Sequence, residues 1–138
     1  MKSLIIFSIL ALPICIGAPA SAIRAAQSDK VDTAVMEFTE KTQLLGVTLL
    51  GKYVFIHDAQ KKAEGKPCLY VYEYKGDART PLAERLGRQV IAFHCEMVDR
   101  PKTKIDVLTL VLGKDPGVFE IKEIQFAGTD KGHRVLSD

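Results

Sequence analysis

Four side chains in this sequence have the chemistry of a metal or redox site: His57, Cys68, His94 and Cys95. Neutral imidazole and thiolate are ligands for copper or zinc. Each histidine is expected at or near the end of a strand, with Asp58 following His57 and Cys95 following His94. The spacing matches no standard signature, since CxxC, HxxxH, HExxH and Met-rich tracts are missing. The CxxCH haem motif and the glycine patterns of phosphate and dinucleotide loops are missing too. A metal or redox site using His57, His94 and the cysteines is one reading. The other gives the cysteines a structural role and expects no cofactor.

Catalysis finds little support in residue types. Once a leader is removed, the serines left are Ser28 and Ser137, both near chain ends, which is poor ground for a serine nucleophile. A cysteine nucleophile beside His57 or His94 requires that the thiols stay free. The carboxylates are scattered, from Glu73 and Glu84 to Glu120 and Glu123, and no two form an acid–base pair by spacing. No catalytic residue is assigned, and a small enzyme of unknown reaction remains a second alternative.

The fate of the cysteines depends on the first 22 residues. Lys2, the apolar run Leu4 to Ile16, Pro19 and the ending Ala20-Ser21-Ala22 have the form of a cleavable secretory signal. The mature chain would start near Ile23, 116 of the 138 residues, and be periplasmic or secreted. Leu12-Pro13-Ile14-Cys15 resembles a lipidation motif, but Ile14 is larger than the small residue wanted before the cysteine. Cys15 leaves with the signal. Cys68 and Cys95 then remain as an even pair in an oxidising compartment, where a disulfide is expected. Closing a loop of about 28 residues stabilises a fold by roughly 3–4 kcal/mol in the chain-entropy treatment.

Charge excludes some partners. Nineteen Lys and Arg face seventeen Asp and Glu, too even a balance for a nucleic-acid binder or a polybasic membrane anchor. The mature sequence has no apolar run near the roughly 20 residues of a membrane-spanning helix.

Strands must position these side chains. Residues 23–43 are expected to be a flexible leader with a short helix over Thr33–Thr42, and 44–127 a β-domain. Strands are predicted at Val47–His57, Cys68–Tyr74, Gln89–Val98, Lys104–Leu112 and Val118–Phe126, from β-branched and aromatic content and turn signals. Gly51 suggests a bulge or a break, and the apolar phase of the last strand changes near Lys122-Glu123. Pro81–Leu86 is predicted as a short helix capped by Thr80. Residues 128–138 are read as a loose tail. The fold class is mainly β: a five- or six-stranded, mostly antiparallel sheet, as small barrel or sandwich, with one or two short helices.

If Cys68 faces Cys95 on neighbouring antiparallel strands, Tyr70 falls opposite Phe93, Tyr72 opposite Ile91 and Leu69 opposite His94. Tyr70, Tyr72 and Phe93 would then share a wall able to bind a carbohydrate, peptide or apolar small molecule. The same period-two spacing also suits core packing. The leading expectation is a small exported, non-catalytic β-domain, stapled by Cys68–Cys95, that binds a ligand or protein partner through that face.

Overall fold

Alternation decides the first element. Ala34, Met36 and Phe38 are buried while Val35 and Glu37 between them are exposed, a period of two that only a strand can present. In the computed structural model, which describes residues 30–136, this segment is β1, Val31–Leu44. The helix expected over Thr33–Thr42 is therefore not formed. The leader segment 1–22, residues 23–29 and residues 137–138 lie outside the described residues.

A two-residue turn, Leu45-Gly46, returns the chain into β2, Val47–Asp58. Both turn residues have positive φ, 48° and 80°, the sign that a tight hairpin of matching twist needs. Gly51, at φ 97°, sits where the β1–β2 register shifts between Phe38 and Thr42, so the expected irregularity is there. Asp58 then caps the short helix α1, Ala59–Ala63, accepting a hydrogen bond from the Lys61 amide at 3.1 Å.

The remaining elements are β3 (Leu69–Tyr74), α2 (Leu82–Arg85), β4 (Leu86–Phe93), β5 (Cys95–Asp99), β6 (Val107–Leu112), β7 (Phe119–Gln125) and β8 (Lys131–Val135). Pro81, not Thr80, takes the N-cap position of α2, and no side chain bonds there. Lys122 is the extra residue of a bulge where Thr109 faces Glu123 and Leu110 faces Ile121, which accounts for the phase change in β7.

The eight strands form one curled, half-barrel sheet in the order β4-β3-β2-β1-β7-β8-β5, with β6 on the other side of β7. It is mixed, because β1 and β7 run parallel at Thr42–Phe119 and Gln43–Glu120. This corrects the expectation of five or six mostly antiparallel strands. Three differences make up the count. The supposed leader supplies β1. The supposed loose tail supplies β8, which is tied to β5 and β7. The predicted strand Gln89–Val98 is two strands, divided at His94.

That division also corrects the register. Leu69 faces Phe93, Tyr70 faces Ala92 and Val71 faces Ile91, one residue away from the pairing expected from opposed cysteines. A slip of one exchanges the faces of a strand. Leu69 and Val71 go fully into the core with Phe55, Ile124 and Phe126, whereas Tyr70 and Tyr72 are half-buried.

An ion pair ties the β5 end of the sheet together. Arg100 holds Glu123 through two hydrogen bonds of 2.7 Å, the forked geometry that suits guanidinium and carboxylate. The pair crosses Gly132 of β8, where any Cβ would collide with the Glu123 carboxylate.

Candidate metal centre

The curl of the sheet brings together residues far apart in sequence. On β2, His57 follows the alternation that buries Phe55 and lies opposite Asp32 of β1. On β8, His133 lies opposite Met97 of β5. Cys95 opens β5, directly after the break at His94, and Cys68 immediately precedes β3. The Cys68 backbone is anchored on both sides. Its amide donates to the Phe93 carbonyl at 3.2 Å, and its carbonyl accepts from the Asp58 amide at 2.9 Å.

The side chains converge in the interior. His57 is 3 % exposed and His133 1 %. Their ring centroids are 4.0 Å apart, and Phe126 packs against both, at 6.3 Å from His57 and 5.5 Å from His133. The Cys95 sulfur lies 3.6 Å from Nδ1 of His133. One ligand atom from each of His57, Cys95 and His133 falls within 4.8 Å of the others. Such a trio can surround a single ion.

His57 is the unusual member. Neither of its ring nitrogens has a hydrogen-bond partner among the described residues. The nearest carboxylate oxygen, from Asp32, is 3.6 Å from Nδ1, too long for a hydrogen bond though close enough to act by charge. Asp32 is itself paired with Lys30 at 3.2 Å. A cleft of about 440 Å³ opens onto His57 and His133, with Asp32, Met97, Thr129 and Lys131 also on its wall.

Protonation follows from burial and contact. Burial, reinforced by the neighbouring His57, holds the His133 imidazolium down to a pKa of about 4, so the ring is neutral in neutral solution. The Cys95 thiol, hydrogen-bonded to Cys68, draws the Cys68 pKa down, and His57 adds to this against the cost of burial. The same contact, with burial, pushes Cys95 up. The contact thus favours a single thiolate shared between the two sulfurs.

Cys68 and Cys95 are free, buried thiols, their sulfurs 2.6 Å apart. The expected proximity is present; the expected covalent bond is not. Two sulfurs on one tetrahedral zinc, each about 2.3 Å from the metal, stand about 3.7 Å apart. The observed contact lies between that spacing and the roughly 2.05 Å of a covalent S–S bond.

Other expected site residues are dispersed. His94 is exposed and lines a different cleft of about 580 Å³ with Leu45, Phe93 and Glu120. Phe93 is in the core, and Tyr70 and Tyr72 are paired with Ala92 and Gln89. The Tyr70 hydroxyl donates to the Pro67 carbonyl at 2.7 Å, and the Lys61 ammonium covers its ring at 4.1 Å. Tyr70, Tyr72 and Phe93 consequently do not form one ligand-binding wall, because the one-residue register difference sends Phe93 inward with Leu69.

His133 and Asp32 were missed by sequence reasoning. Both belong to segments read as unstructured, although the alternation His133, Val135 in β8 is the sign of a strand with an inward face. No helix among the described residues is long and apolar enough to cross a membrane. No protein-family model, curated protein or solved structure matches this chain.

Proposed function

We propose that this chain is a small exported β-domain that binds one transition-metal ion through His57, His133 and Cys95. The observation that carries this reading is the buried His57 ring with both nitrogens unpartnered. Leaving a buried polar group unsatisfied costs about 1–3 kcal/mol. A metal ion accepting the lone pair of one nitrogen removes that cost, and a second imidazole and a sulfur stand where such an ion needs them. Asp32 stands outside the ligand set, with its carboxylate charge beside Nδ1 of His57. Export rests on the basic, apolar and small-residue pattern of residues 1–22.

Cys95 serves one partner at a time. As a thiolate it ligates the ion; joined to Cys68 it has no thiolate to offer. Exchange with a disulfide such as oxidised glutathione closes the metal-free pair as Cys68–Cys95, the two electrons and two protons leaving on two glutathione thiols, and a bound ion protects Cys95 from it.

The test is native mass spectrometry of the reduced full chain after exposure to Cu(I), Zn(II) or Co(II) and desalting. One retained ion per chain, lost in His57→Leu and His133→Leu but kept in His94→Ala, supports the reading. A chain that retains none of the three ions overturns it.

A further inference from the structure

Resting on that metal-binding reading, we infer that the ion is monovalent copper and that the Met97 thioether is its ligand at the mouth of the cleft. Met97 lies directly opposite His133 across the β5–β8 pair, and opposed residues of an antiparallel pair project on the same face. It shares the wall of the 440 Å³ cleft with His57 and His133. At 44 % exposure, its flexible, polarisable side chain is open to solvent as well as to the cleft.

Two arguments select the ion. Thiolate and thioether are soft ligands, and a site offering both favours Cu(I) over harder divalent ions. Charge points the same way. One thiolate and two neutral imidazoles around Cu(I) make a neutral group, whereas a divalent ion leaves a net positive charge beside Phe126, which is costly in an apolar surrounding. Of the charges around it, Asp32 is already paired with Lys30 and Glu123 with Arg100, and the Lys62 ammonium donates to the Cys95 carbonyl at 3.2 Å.

The experiment is anaerobic competition of the reduced full chain against a chromophoric Cu(I) chelator, with wild type, Met97→Leu and His57→Leu side by side, followed by a challenge with equimolar Zn(II). Met97→Leu keeps the shape of the side chain and removes the sulfur. It should hold Cu(I) about tenfold less tightly, at the lower end of the 10- to 100-fold loss known for altered metal surroundings, while the metal-free chain melts as wild type does. Zn(II) should leave bound Cu(I) in place. Unchanged Cu(I) affinity in Met97→Leu, or displacement by equimolar Zn(II), overturns the inference while the metal site stands. Failure of wild type to take either ion overturns both, and equal Cu(I) binding by His57→Leu overturns the site itself.

Discussion

Cys68 and Cys95 meet sulfur to sulfur at 2.6 Å although they do not face each other in any strand ladder. Cys68 lies just before β3, and Cys95 begins β5 after the chain has turned at His94. The contact places Cys95 between Cys68 on one side and His133 on the other, so its oxidation state decides whether the imidazoles have a sulfur to share an ion with.

Oxidation should therefore exclude the metal. Treatment of the metal-free chain with oxidised glutathione would join Cys68 to Cys95, the two electrons and protons leaving on two glutathione thiols. The product should be unreactive to alkylation and bind an ion far more weakly than the reduced chain. Pre-loaded protein should oxidise more slowly. Equal metal affinity in the two states, measured by competition, would remove Cys95 from the ligand set.

His57 should be costly to the metal-free protein. His57→Leu replaces two unpartnered buried nitrogens by an apolar side chain of similar size, next to Phe126. The metal-free variant should be more stable than wild type by about 1–3 kcal/mol in denaturant unfolding, and unable to bind the ion. A destabilised variant would mean that the His57 nitrogens make a favourable polar contact, with Asp32 or Cys68, in the metal-free protein.

The metal-free protein should lose stability on mild acidification. His133 has a folded pKa of about 4 against 6.5 for the free side chain. Between those values the unfolded chain takes up a proton that the folded chain refuses, so stability is complete above pH 6.5 and declines as pH falls towards 4. Melting curves of chelator-treated wild type and His133→Leu should converge in that interval, the variant being less sensitive. Parallel pH dependence would show that other groups govern acid lability.

The Arg100–Glu123 pair should matter to the fold as a whole. Glu123→Gln weakens a twofold, charge-assisted interaction over β8 and should lower the melting temperature. Gly132→Ala should be at least as damaging, because the added methyl group displaces the Glu123 carboxylate. Thermal melts decide this, and a Gly132→Ala protein as stable as wild type would contradict the packing described.

Much of the sheet was legible locally. The alternation in Cys68–Tyr74 and the phase change near Lys122-Glu123 each report a nearby constraint, and β3 and β7 are where they place them. What failed was long-range. Thr33–Thr42 has the polar content of an exposed helix, and its strand identity depends on pairing with β2. Residues 131–135 are short and polar, and become a strand because β5 and β7 flank them. Of the site, His57, Cys68 and Cys95 were legible as chemistry. His94 was chosen for its neighbour in sequence, and His133 overlooked, because the curl that joins β2 to β8 leaves no trace in spacing.

X-ray absorption at the metal edge of the loaded, reduced protein tests the proposed centre most directly. The expected spectrum contains a sulfur shell and the multiple-scattering signature of two imidazoles, and His57→Leu should reduce that signature or abolish loading. A shell made only of oxygen, or of sulfur without imidazole, would contradict the assignment of His57, His133 and Cys95.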